Sequence, residues 1–348
     1  MWIEPFSLGL TSPLSTARGD ITERQGFLVG VNDTDAASGI GEASPLPGWT
    51  ESVEACQTAL AATDLGSTET HPDPSTAPAA AHAVELARLD RRGRNDSTPL
   101  ATTLRKAAFD AADAAVPQQV PVNATIGTDD IDATVAAAER AVAAGYDCLK
   151  LKAGSQSLAA DLRRVRAVRA AVGDAVSLRI DANGAWEVPT AEDALDEFAA
   201  LDVAYVEQPL PAEKLASHRE LRGRGVDIAL DESLASASLS AVLEADAADV
   251  VILKPMALGG PLQAAQAAAR ARQAGVKPVV TTTIDAVVAR TAAVHVAAAI
   301  PDIAPCGLAT GSLLAADLAA DPVTLAAGAV SVPTGGGLCG TDFDSLRR

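Results

Sequence analysis

Lysine is scarce in this chain of 348 residues, standing only at positions 106, 150, 152, 214, 254 and 277. The 27 Lys+Arg less these six leaves 21 arginines, set against 45 Asp+Glu for a formal net charge of −18. Such a surface repels phosphate backbones and anionic lipid, which argues against nucleic-acid and membrane-surface partners. Aromatics make up only 3%, yet the 48% apolar fraction is ample for a buried core. Cysteines are four, Cys56, Cys148, Cys306 and Cys339, far apart and without paired spacing. This argues against a disulfide framework or zinc knuckle and fits a reducing cytoplasm. No run of about 18 apolar residues suggests a transmembrane helix. The start, Met1-Trp2-Ile3-Glu4-Pro5, lacks the basic-then-apolar order of a signal peptide. Acidity, abundant Ala and Asp, and few lysines suggest adaptation to strong salt, although a GC-rich genome accounts for Arg over Lys nearly as well.

What is present divides in two. Residues 1–115 read as an α+β capping domain, with a strand at Gly26–Val31 and a Gly/Pro-rich loop at Gly39–Trp49. A helix from near Thr50 follows, then a Thr/Pro/Ser/Asp-rich loop at Thr63–Pro78 and helices around Ala79–Leu89 and Pro99–Ala115. From Pro121 short apolar runs alternate with Ala-rich amphipathic helices, as in repeated β-α units. Strands are expected at Pro121–Ile126, Cys148–Lys152, Val176–Asp181, Val203–Glu207, Asp227–Asp231, Val250–Lys254, Lys277–Thr282 and, weakly, Ile303–Gly307. Their spacing is what one strand, one helix and two loops require, so residues 116–320 read as a TIM-like (β/α)8-type barrel. No Gly-x-Gly-x-x-Gly follows a strand, which disfavours an open dinucleotide-binding sheet. The run Gly335-Gly336-Gly337 reads as a turn.

Several expected strands end in charge. Lys150 and Lys152 share one strand face; Asp181, Glu207, Asp231 and Lys254 each close an apolar run. In such a barrel these ends meet at one mouth. Three carboxylates there make a hard-oxygen site suited to Mg²⁺, and without a cation they would raise one another's pKa. A lysine base must be partly neutral near pH 7, which the cation and Lys150 would favour for Lys152. A base beside a metal-held carboxylate can remove its α-proton while the metal holds the developing enediolate.

The runs Lys150-Leu151-Lys152, Asp181-Ala182-Asn183, Glu207-Gln208-Pro209, Asp231-Glu232-Ser233 and Lys254-Pro255 resemble the enolase superfamily, in its muconate-lactonizing subgroup. Within it the likeness is to the o-succinylbenzoate synthase family of menaquinone biosynthesis, supported by Gly41–Gly48, Leu178–Asp181, Thr281–Asp285 and Gly307–Gly311. The resemblance implies dehydration of 2-succinyl-6-hydroxy-2,4-cyclohexadiene-1-carboxylate, a small-molecule carboxylate. Asp181, Glu207 and Asp231 would bind Mg²⁺, with Mn²⁺ as a substitute. Lys152 would abstract the α-proton and return it to the departing hydroxyl, and Lys254 would stabilise the enediolate from the opposite face. Lys150 would contact the carboxylate; Arg179, Asn183, Thr281, Thr282, Thr283, Gly307 and Leu308 would contact substrate. Loops near Ser15–Gly19 and Ser44–Gly48 would close the mouth, and the chain from about Asp321 to 348 would return to the first domain. The family more often carries serines and a Glu where this chain has Thr281 to Thr283 and Asp285. The rivals are an N-acylamino acid racemase or dipeptide epimerase of the same superfamily, and a non-catalytic barrel scaffold. Dipeptide epimerases show an Asp-x-Asp where Gly307-Leu308-Ala309-Thr310 stands, and a mandelate-type site would need a histidine at the seventh strand. His295, in an apolar helix, reads as a packing residue. No motif fixes the oligomeric state.

Overall fold

The structure is a computed structural model that describes residues 2–16, 19–33, 36–63, 70–109, 115–127 and 129–347. Three antiparallel strands form the first sheet, β1 (Trp2–Thr16), β2 (Gly19–Asp33) and β3 (Ala36–Ala43), in that order. Helices α1 (Val53–Ala61), α2 (Pro78–Asn95) and α3 (Leu100–Ala108) follow. The expected Gly/Pro loop is half strand: Gly39 and Gly41 lie within β3. Their role is close approach, because a Cβ at Gly39 would meet the Ala87 carbonyl oxygen at 2.0 Å and one at Gly41 the Ala83 carbonyl oxygen at 1.9 Å. The α2 backbone thus lies directly on β3. The proposed lid at Ser15–Gly19 includes 17–18, and the loop at Thr63–Pro78 includes 64–69; both lie partly outside the described residues.

After β4 (Gln119–Pro121) comes a seven-stranded parallel sheet: β5 (Ala124–Ile126), β6 (Cys148–Lys152), β7 (Ser177–Asp181), β8 (Val203–Glu207), β9 (Asp227–Leu230), β10 (Val250–Leu253) and β11 (Lys277–Val280). They pair in chain order. The intervening helices are α4 (Ile131–Ala143), α5 (Leu158–Val172), α6 (Val188–Ala199), α7 (Leu215–Leu221), α8 (Ser233–Ser236), α9 (Leu239–Glu244), α10 (Pro261–Gln273) and α11 (Val287–Ala299). Their small alanines let them sit near the sheet, and every residue of α11 is buried. A helix buried around its whole circumference requires neighbours on all sides; α11 has α3, α10, β3 and β11 against it.

Two strand expectations need correction. Pro121–Ile126 is not one strand: Pro121 ends β4, which pairs with β13 (Ala329–Ser331), itself a partner of β12 (Leu325–Ala326), and β5 begins at Ala124. The expected eighth strand at Ile303–Gly307 is absent. Only Cys306 and Gly307 bridge, the first between Pro121 and Asn123, the second to Val280 through its N–H. Two residues thus hydrogen-bond toward both edges of the sheet, too few to form a strand.

Distant segments are tied by buried charge. Asp90 of α2 accepts from the backbone N–H of Ile40 and Leu338 and from Arg347, and so anchors the end of the chain on the first helices. Glu42 of β3 accepts from the N–H groups of Ala286 and Ala289 at 2.8 Å each, capping the start of α11 from another sheet. Arg24 of β2 donates to the carbonyls of Ser44, Pro45 and Ile284. These bonds fix the Ser44–Trp49 turn against the loop after β11. No helix among the described residues is long and apolar enough to cross a membrane.

Candidate active site

Parallel register builds the site. Lys152 pairs with Asp181 across β6 and β7, Asp181 with Glu207 across β7 and β8, and Glu207 with Ala229 across β8 and β9. Asp231 stands two residues beyond Ala229, on the same face. Lys254 follows the last residue of β10. The expected charged residues therefore form one row across five strand ends, although Asp231 and Lys254 lie just past their strands rather than within them.

The lysines neutralise that row. Lys150 Nζ is 3.0 Å from Asp181 Oδ2 and 3.0 Å from Glu207 Oε1. Lys152 Nζ donates to Asp181 Oδ2 at 2.7 Å and Asn183 Oδ1 at 2.9 Å. Lys254 Nζ donates to Asp231 Oδ2 at 2.8 Å and lies over the ring of Trp49. Burial acts most strongly on Lys150 and would lower its pKa, but Glu207 and Asp181 hold it well above the ordinary value. Its ammonium is held between those two carboxylates and shares Asp181 Oδ2 with Lys152. Burial alone would also raise Asp181, yet Lys150 and Lys152 bring it below the ordinary carboxylate range. Glu207 goes the other way, raised to about 8 by burial and by the Asp181 charge, with Lys150 opposing and Asp231 adding.

Among the described residues no three His, Cys, Asp or Glu side chains gather into a cage as they stand; each carboxylate of the row is turned onto a lysine. Their chemistry nevertheless fits a hard divalent ion. All donors are carboxylate oxygens, Asp231 Oδ1 is buried with no hydrogen-bond partner, and Glu207 is crowded by like charge. Gln208 organises the turn after β8: its Oε1 accepts from the N–H groups of Asp231 and Ser233, while its Nε2 donates to Leu210 O and Ser233 Oγ. Its left-handed φ of 44° directs the side chain inward.

The remaining expected contacts divide. Asn183 lies in the row, bonded to Lys152. Arg179 does not reach it: its guanidinium donates to Pro305 O at 2.6 Å and to Asn123, and lies over Tyr205. Two residues before Asp181 on β7, it packs one layer deeper. Thr281 Oγ1 donates to Gly307 O, Thr282 bonds Thr310, and Thr283 donates to Asp285; Leu308 is buried. These residues border the row on the β11 side with their hydroxyls bonded internally. Trp49 and Glu232 went unread in the sequence. Trp49 is one of only three tryptophans and stands in a Pro/Gly turn, a signal that could have found it. Glu232 had none beyond its place beside Asp231. His295 is the packing residue expected, accepting from Ala101 N and bonded to Leu338 O inside α11.

The chain is 40% identical over 230 residues to the o-succinylbenzoate synthase of Thermobifida fusca, covering 62% of this chain and 69% of that one. It is 32% identical over 231 residues to a chloromuconate cycloisomerase of Cupriavidus necator, covering 65% and 62%. The fold matches a substrate-liganded L-Ala-D/L-Glu epimerase of Bacillus subtilis with a TM-score of 0.83, at 26% identity over 97% of both chains. Residues 133–345 match the family described as enolase C-terminal domain-like. Matched over more than half its length, the chain belongs to that family and so to the enolase superfamily, with a resemblance to o-succinylbenzoate synthases.

Proposed function

We propose that the chain is a lyase that dehydrates 2-succinyl-6-hydroxy-2,4-cyclohexadiene-1-carboxylate to o-succinylbenzoate, a step of menaquinone biosynthesis, in the cytoplasm. The observation that carries this reading is the row itself. Two lysines reach it from β6 and from the end of β10, with β7, β8 and β9 and their three carboxylates between them. In this reading residues 1–115 with the 321–348 return are a capping domain, and residues 116–320 form a barrel closed through Cys306 and Gly307. Asp181, Glu207 and Asp231 would hold Mg²⁺. The ion, when bound, would neutralise the substrate carboxylate and the negative charge that grows on it.

Lys152 takes the α-proton at Nζ, and the C–H pair becomes part of the new ring double bond. The same amine returns the proton to the departing hydroxyl, so C–O breaks and water leaves. Lys254, a cation fixed between Asp231 and Trp49, lies across the row from Lys152 and stabilises charge in the ring. Lys150 holds Asp181 and Glu207 in place. Purified protein with Mg²⁺ should convert the cyclohexadiene, followed by ultraviolet absorbance, and Lys152→Ala should lower kcat by roughly a hundredfold or more without unfolding the chain.

The likeness to the Bacillus subtilis epimerase supports a second reading, racemisation or epimerisation of an N-acylated amino acid with both lysines as opposed bases. Solvent deuterium entering the α-carbon of such substrates, with the cyclohexadiene untouched, would establish it in place of the lyase.

A further inference from the structure

We propose that Glu232 is a positioning residue for the Lys152 amine, acting through the side-chain amide of Asn183; the role of Lys152 as proton carrier rests on the lyase reading above. The observation is a chain of two hydrogen bonds. Lys152 Nζ donates to Asn183 Oδ1 at 2.9 Å, and Asn183 Nδ2 donates to Glu232 Oε1 at 2.9 Å. Asn183 enters the row because the backbone after β7 turns left-handed, with φ of 45° at Asn183 and 74° at Gly184. Asparagine tolerates that conformation better than most residues. The turn is pinned by Gly184 N donating to Gln208 O at 2.7 Å and Asn183 N donating to Asp181 Oδ1.

An asparagine amide has two unlike ends, one that accepts and one that donates. An ammonium has donors only, so it needs the accepting end. The Glu232 carboxylate can only accept when ionised, and by taking Nδ2 it locks Oδ1 onto Lys152. Without an acceptor at position 232 the amide can turn over and set its NH₂ against the Lys152 ammonium, donor facing donor. Glu232 also carries a cost: its Oε2 is buried and without a hydrogen-bond partner. A buried acceptor left unbonded opposes folding, so a carboxylate here is explained by what its other oxygen does.

The consequence concerns direction. Once Lys152 has taken a proton, Asp181 Oδ2 and Asn183 Oδ1 accept two of its three N–H bonds. The third has a single remaining direction, and the same locking aims the lone pair of the neutral amine. Proton removal and proton return on one substrate face need this fixed aim. Asn183 then serves the amine rather than the substrate, a different role from that implied by resemblance.

The test compares Glu232→Leu, Glu232→Gln, Asn183→Leu and the double leucine variant, each first checked for a cooperative thermal transition well above the assay temperature. Two readouts are used: steady-state kcat and KM, and the rate at which limiting acetic anhydride acylates Lys152, normalised to Lys214 and Lys277 by peptide mass spectrometry. In Glu232→Leu, kcat should fall roughly ten- to a hundredfold with KM little changed, and Lys152 should acylate several times faster. Glu232→Gln, which still offers an accepting oxygen, should recover most of kcat and the slow acylation. The double variant should be no worse than Asn183→Leu, since both residues act in one chain. Unchanged Lys152 acylation in Glu232→Leu, failure of glutamine to rescue, or additive losses would each overturn the proposal. Should the wild-type protein leave the cyclohexadiene untouched, the lyase reading fails, while the acylation rates still decide whether Glu232 holds Lys152.

Discussion

The Lys254 ammonium lies 3.2 Å from the ring centroid of Trp49 while donating to Asp231. The two residues come from opposite ends of the architecture. Trp49 belongs to the turn after β3, where Trp49 N donates to Leu46 O, Leu46 N donates to Thr50 Oγ1, and Gly48 takes φ of 106°. An ammonium on an indole face is worth roughly 0.5–2 kcal/mol, so Trp49→Leu should lower kcat/KM by about two- to thirtyfold. Trp49→Phe should keep most of it. Equal losses in both variants would show that the ring only fills space.

Metal binding should appear in stability before activity is assayed. Asp231 Oδ1 is buried without a hydrogen-bond partner and Glu207 is crowded by the Asp181 charge, so an ion that takes up these oxygens favours the folded chain. Melting with Mg²⁺ at about a hundred times its dissociation constant should gain roughly 2.7 kcal/mol, lost on chelation with EDTA. Asp231→Asn should remove most of the gain. A wild-type transition indifferent to Mg²⁺ would argue against the ligand assignment.

The row was legible because each of its residues ends an apolar run on a parallel strand, and register alone aligns such ends. Sequence could not show that Lys150 would be held between Asp181 and Glu207, since β-strand spacing tells which face a side chain takes and not which partner it meets. The eighth strand was misread because Cys306 and Gly307 carry the bridging alone, two residues with no periodicity to detect. The Gly39–Gly41 stretch looked like loop because its glycines answer to α2 packed above them, a contact across more than forty positions. Glu42 and Glu232 were hidden for the same reason: each acts on a segment distant in sequence.

Glu42 offers a pH signature. Burial, then the neighbouring Asp285 charge, raises it to about 7 despite hydrogen bonds from Ser44, Ala289 and Ala286. Between pH 4.5 and about 7 the folded chain keeps a proton that the unfolded chain releases, so this group's contribution to stability falls as pH rises through the window, by on the order of 3 kcal/mol. His218 and His295, both lowered to about 4 chiefly by burial, work oppositely, losing stability on acidification from pH 6.5 toward 4. The wild-type profile mixes these trends, and Glu42→Gln separates them. In urea titrations the variant should gain on wild type between pH 5 and 8. A difference independent of pH would mean that Glu42 is ionised throughout.

Salt tests the charge balance. Surface pairs such as Arg224 with Glu192 and Arg222 with Asp249 contribute about 0.2–1 kcal/mol each, and added salt weakens them. Against them stands the excess of 18 negative charges, whose repulsion opposes compaction. Asp129, Asp130 and Asp132 crowd the exposed start of α4, where only Asp130 is used as a cap. Because few lysines dilute the acidic surface, screening should relieve more repulsion than it removes attraction. The urea midpoint should therefore climb as KCl rises from 0.05 M, where the Debye length is above about 10 Å, toward 1 M, where it is about 3 Å. Chains adapted to brine should continue to gain beyond 1 M, where simple screening is exhausted, and should lose activity in dilute buffer. Full stability and activity in dilute buffer, with a flat response to KCl, would leave the arginine bias to genome composition alone.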